Sequence, residues 1–126
     1  MNEQRDPETY AIIGAAMKVH AELGRGFLET VYKDALEVEF LAQGIPFERE
    51  KRIDVYYAGQ HLRSYFIADF ICFGAVVVEV KAIQTLTDSD IAQTINYLKA
   101  TRLEKALLSN FATQNLQYRR LVRTKT

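Results

Sequence analysis

The sequence has a single cysteine, Cys72, set in an apolar run. A lone thiol excludes a disulfide framework, so Cys72 reads as a small core residue in a reducing compartment. Net charge is missing too, because 16 Lys and Arg balance 16 Asp and Glu. No global field recruits a polyanion, and any nucleic-acid contact has to come from local clustering. The two histidines, His20 and His61, have no partners at zinc spacing and take surface or structural roles. There is no Gly-rich phosphate loop and no Ser/His/Asp arrangement. No apolar run approaches the roughly 18 residues of a membrane span. The N-terminal MNEQRDPETY also lacks the apolar stretch of a signal peptide. The expected location is cytoplasmic, away from membranes. Repeats, linkers and low-complexity segments are absent as well.

What is present suits one domain spanning residues 1–126, with 48% hydrophobic residues to build a core. Asp6-Pro7 opens a helix, with Asp6 as N-cap and Pro7 in the first helical position. Gly24 and Gly26 break it. A second helix is expected from Leu28 to Gln43, closed by Gly44. Pro46 to Tyr57 and Gln60 to Cys72 read as strands joined by an Ala58-Gly59 turn. Gly74 marks another turn, and Val76 to Ala82 is a third strand. Thr87-Asp88 opens a helix with Ile91, Ile95 and Leu98 on one face. Ala106 to Phe111 is a short strand, and Leu116 to Val122 is either a last strand or a helical tail. The order is that of an α/β layer fold with a mixed sheet.

The third strand, VVVEVKA, contains two charges, Glu79 and Lys81. From Ser64 to Thr87 the only other charge is Asp69. Alternation puts Glu79 and Lys81 on one face with Val77, and Val76, Val78 and Val80 on the other. Such a strand is central and covered on both sides, where a charge has to be paired or metal-bound. If Gly74 centres a three-residue turn, Asp69 falls opposite Glu79, with Cβ atoms about 5 Å apart. A turn one residue shorter puts them on opposite faces. Two facing carboxylates invite a divalent cation, and hard oxygen ligands suit Mg²⁺ or Mn²⁺. The other reading is an Asp–Lys–Glu charge cluster on an exposed sheet face.

Asp69, nine residues, then Glu79-Val80-Lys81 resembles the PD-(D/E)XK nuclease signature. Gly26-Phe27-Leu28-Glu29-Thr30-Val31-Tyr32 matches a GxxExxY motif, and Gln93-Thr94-Ile95-Asn96-Tyr97 matches QxxxY. With the order of elements, these are similar to the GxxExxY proteins, a small-domain family within the RecB-like part of that superfamily. The likeness runs from Val19-His20 to Phe111. It departs at Ala68, where a proline can precede the aspartate, at Asp88-Ser89-Asp90, where relatives carry a histidine, and at Ala112, where a glycine is common. The resemblance implies a restriction-endonuclease-like mixed sheet flanked by helices, in the order α-α-β-β-β-α-β-β. It implies metal-dependent hydrolysis of phosphodiester bonds, with DNA as the nucleic-acid partner. Asp69, Glu79 and the Val80 carbonyl become metal ligands, with Glu29 completing the shell directly or through water. Lys81 holds or deprotonates the attacking water or stabilises the phosphorane. Gln93 and Tyr97 share a helix face beside the active site. For Tyr32 packing is the expected role, and for Gly26 a backbone requirement.

Two basic groups stand out, Arg49-Lys51-Arg52 and Arg119-Arg120-Arg123-Lys125. The second tracks a phosphate backbone or is a solvated tail. A homodimer would let two sites cut two strands. The competing function is a catalytically silent nuclease-fold module that binds nucleic acid or a protein. The full set Glu29, Asp69, Glu79 and Lys81 favours the enzyme.

Overall fold

The computed structural model describes residues 6–123. Helix α1 (Pro7–Leu23) starts as the sequence implies, with the Asp6 carboxylate accepting from Thr9 N at 3.0 Å and Pro7 in the first turn. It stops at Gly24, whose φ of 68° favours a residue without Cβ. Helix α2 (Glu29–Gln43) begins one residue later than expected, because Leu28 is its extended N-cap. Gly44 ends it in the left-handed region, with Ile45 N donating back to Phe40 O at 2.9 Å.

Strands β1 (Phe47–Tyr57) and β2 (Gln60–Cys72) form a hairpin through a two-residue Ala58-Gly59 turn with positive φ at both positions. A three-residue turn, Phe73 to Ala75, leads to β3 (Val76–Lys81). Helix α3 (Asp88–Thr101) starts with a full capping box between Thr87 and Asp90. It crosses to β4 (Lys105–Asn110), which lies parallel to β3. The segment left open between strand and helix is strand β5 (Gln117–Val122), antiparallel to β4. The sheet order is β1-β2-β3-β4-β5, with the β3–β4 pair alone parallel.

The two faces of β3 build two cores. Val76, Val78 and Val80 pack with Ile12, Val19, Tyr32, Leu36 and Phe40 of α1 and α2. Val77 packs with Tyr97 and Leu98 of α3, and with Ala106 and Leu121. Helices thus cover both faces, as the unbroken valines of β3 require.

The hairpin holds one feature that the sequence does not announce. Phe47, Phe70 and Cys72 belong to the α1/α2 side, whereas Ile53, Phe66 and Ala68 belong to the α3 side. Strict alternation would keep Phe66, Ala68 and Phe70 on one face. The pairing register is the same on both sides of the change, Arg49 with Phe70 and Lys51 with Ala68. Between them sit Glu50, at φ 54°, and Asp69. At this point both strands twist over together, and the outer half of the hairpin turns its apolar side onto α3. No helix among the described residues is long and apolar enough to cross a membrane.

Candidate active site

Asp69 marks that crossover in β2. The β2–β3 ladder pairs Cys72 with Val76, Ile71 with Val77 and Phe70 with Val78, so the next pair in register is Asp69 and Glu79. Here side chains take over the backbone bonding. Asp69 N donates to Glu79 Oε2 at 2.8 Å, and Val80 N donates to Asp69 Oδ2 at 2.7 Å. Each carboxylate is held by the opposite strand, a reciprocal latch that fixes both.

Glu79 is only 5% exposed. Burial, and then the charge of Asp69, push its carboxyl up to about 8, against the relief given by Asp69 N, Lys81 and Lys33. The backbone beneath it is pinned by Ser109, whose hydroxyl donates to Glu79 O at 3.0 Å.

Three side chains surround the pair. Lys81 follows Glu79 on the same strand face. Its Nζ lies 3.4 Å from Gln93 Oε1 and 3.9 Å from Asp90 Oδ1 in the first half of α3. Tyr97 lies one turn beyond Gln93. It is 7% exposed, with its ring 4.9 Å from Phe66. Burial raises its pKa, and the charges of Glu79 and Asp69 raise it further, so its hydroxyl stands in the field of both carboxylates. Tyr97 is a core aromatic and a neighbour of the acidic pair at once.

The third is Lys33, which the sequence reading passed over. Its Nζ contacts Asp69 Oδ1 at 3.2 Å and Glu50 Oε2 at 2.8 Å. Burial lowers its pKa, but the bond to Glu50 and the charge of Asp69 outweigh this and raise it. The only sequence signal was its position one turn after Glu29 on the same face of α2.

Glu29 is the first residue of α2 and partly exposed, and it makes no hydrogen bond or ion pair among the described residues. The fold therefore gathers Asp69, Glu79, Lys81, Gln93 and Tyr97, and leaves Glu29 outside their bonds. Among the described residues no three or more His, Cys, Asp or Glu side chains group to hold a metal. The acidic centre consists of two carboxylates. Val80 contributes its side chain to the core and its N–H to the latch.

Gly26, at φ 116°, and Tyr32 serve the helix junction. The Tyr32 hydroxyl donates to Gly24 O at 2.7 Å and accepts from Phe27 N at 3.2 Å, while its ring stacks on Phe111 at 4.8 Å. His20 is structural: its Nε2 donates to Thr113 O at 2.9 Å. His61 stacks on Tyr56. The first basic group is neutralised. Arg49 pairs with Asp34 and Glu37, Lys51 with Glu48, and Arg52 with Asp54. In the second, Arg123 donates to Leu103 O and Arg102 O at the end of α3, and Lys125 lies outside the described residues.

The chemistry of the pair fits a hard divalent cation. Both carboxylates are oriented by backbone N–H groups, and both nearby lysines are shared with other acceptors. A buried carboxyl that resists ionisation beside a second acid lacks positive charge. Magnesium is commonly held by one or two carboxylates, with water and phosphate oxygens for the rest.

No curated protein matches the chain. A solved structure, the crystal structure of SSO0001, superposes with a TM-score of 0.58 at 12% identity, covering 98% of this chain and 80% of that one. At that identity the likeness speaks for the fold, a five-stranded mixed sheet between helices of the restriction-endonuclease type. A family model for the PD-(D/E)XK nuclease superfamily matches residues 6–121, which include the latch, Lys81, Gln93 and Tyr97. On that match the chain belongs to the PD-(D/E)XK nuclease superfamily.

Proposed function

We propose that the chain is a metal-dependent nuclease that hydrolyses phosphodiester bonds in DNA, a single-domain member of the GxxExxY, RecB-like branch. The observation that carries this reading is the Asp69–Glu79 latch with Lys81 on the same strand face and Gln93 against it. Asp69, Glu79 and the Val80 carbonyl would hold Mg²⁺ or Mn²⁺, with Glu29 acting through water. The ion supplies Lewis-acid polarisation of a phosphate oxygen. Lys81 Nζ orients the attacking water, takes its proton or steadies the developing negative charge. Gln93 positions Lys81 and faces the strand being cut. Tyr97 walls the carboxylates off from α3 and lowers the local dielectric.

The deciding experiment offers supercoiled plasmid, linear duplex, single strand and a branched junction to the purified protein with Mg²⁺, Mn²⁺ or EDTA, beside Lys81→Ala. Metal-dependent cutting that Lys81→Ala abolishes, with Mn²⁺ binding retained, supports the reading. Equal cutting by parent and variant removes Lys81 from the mechanism. No cutting and no metal binding leaves a silent binding module.

A further inference from the structure

Beyond Gln93 and Tyr97, the face of α3 continues into a cleft of about 420 Å³ against the outer half of the hairpin. Its walls include Tyr56 and Phe66 from the hairpin and Asn96, Lys99 and Arg102 from the end of α3. That volume lies within the roughly 300–1,000 Å³ of small-molecule sites. Its charge is unusual for this chain. Lys18, Lys33, Arg49, Lys51, Arg52 and Lys105 all pair with carboxylates. Lys99 and Arg102 make no ion pair among the described residues, and no carboxylate lines the cleft. Beside them Arg123 is fixed on the Leu103 and Arg102 carbonyls, adding a third positive charge without a neutralising acid.

The cleft is aligned with the acidic latch. Gln93, which meets Lys81, and Lys99 are six residues apart on one helix. At 1.5 Å per residue that is about 9 Å, or nearly three base rises of a B-form strand. The twist at Glu50 and Asp69 brings the hairpin over α3 and gives the groove its second wall.

We propose that this cleft is a nucleotide subsite. It takes a backbone phosphate of the nucleic-acid strand on Lys99 and Arg102, and a base against Tyr56, away from the bond being cut. The choice of ligand rests on the nuclease reading. Cations with no acid partner recognise phosphate, Asn96 offers an amide for a base edge, and an exposed ring offers a stacking surface. A solvated helix end would also carry Lys99, where it complements the helix dipole. It would not require an aromatic wall facing two unpaired cations across a cleft.

The test is fluorescence anisotropy of a labelled oligothymidylate in EDTA, titrated with salt, so that binding is read without cleavage. Lys99→Gln with Arg102→Gln keeps both stems and removes both charges. The expected result is about tenfold weaker binding, with the salt slope reduced by about 1.4, or about 0.7 per lost contact. Tyr56→Ala is expected to weaken binding several-fold with the slope unchanged. Lys18→Gln, which removes a charge on α1, is expected to leave both unchanged. Equal losses per charge for Lys18→Gln and the double variant, an unchanged double variant, or a parent that does not bind would each overturn the assignment. The nuclease reading fails separately. If the parent shows no metal-dependent cutting of any substrate while the double variant still loses affinity, the subsite stands and the nuclease does not.

Discussion

Glu79 shares a buried space with a second acid, and its pH response follows from that. Its ordinary value of 4.5 is raised to about 8 in the folded state. Between those values the folded chain holds a proton that the unfolded chain has released. Stability therefore falls as pH rises through that window. Glu79→Gln removes the dependence. In EDTA, urea midpoints of parent and variant should agree near about pH 5 and separate by about pH 9, with the variant more stable. Parallel profiles would mean that burial and Asp69 leave Glu79 unperturbed. Lys33 gives a second expectation at this scale. Its ammonium holds the Asp69 oxygen that a metal would use, so Lys33→Met should tighten Mn²⁺ binding several-fold in calorimetry while lowering metal-free stability. Weaker Mn²⁺ binding would mean that Lys33 organises Asp69 instead of competing for it.

At the scale of elements, the GxxExxY motif is a piece of helix-junction engineering. A Cβ at Gly26 meets no atom within 4 Å, so Gly26→Ala adds no clash. The cost comes from φ 116°, which L side chains rarely adopt, and should amount to roughly 1–3 kcal/mol in urea unfolding. Tyr32→Phe loses two hydrogen bonds at the same junction and should cost about 1–2 kcal/mol, with cleavage per folded molecule unchanged. Loss of cleavage without loss of stability would move Tyr32 into the chemistry. The elements the sequence revealed are those with local signals: Asp6-Pro7, Gly44 and the Thr87 box. The Asp69–Glu79 pairing was legible because one turn length fixed the register. Lys33 and the cleft were not, because both depend on the crossover at Glu50. Positive φ there falls on a glutamate, with no glycine to mark it. Glu29 was placed by motif alone, and the fold gives it no bond to the acids. Leu116 to Val122 was ambiguous because an edge strand with one buried residue, Leu121, has little periodicity.

At the scale of the whole molecule, Lys105 at the start of β4 joins the two ends of the described chain. Its Nζ lies 2.8 Å from Asp6 and 2.6 Å from Glu8. Burial raises the Asp6 pKa, but the bonds from Lys105 and Thr9 outweigh it and leave the carboxyl below its ordinary 3.8. A lowered acid stabilises the fold above its unfolded value and loses that contribution as pH falls through its folded value. Lys105→Ala should therefore cost about 1 kcal/mol at neutral pH and progressively less below about pH 4. A deficit that stays constant into acid would show that the lysine acts through packing instead of charge.

The parallel pairing of β3 with β4 has a consequence for timing. Asp69, Glu79 and Lys81 are synthesised well before residues 105–110, yet β3 has no second neighbour until β4 arrives from the far side of α3. Glu79 is also anchored from below by Ser109 of that later strand. During translation the acids are already on the chain while the surface that aligns them is still inside the ribosome. A nascent copy is in this way kept from cutting the nucleic acids around it until the strand that completes it has emerged.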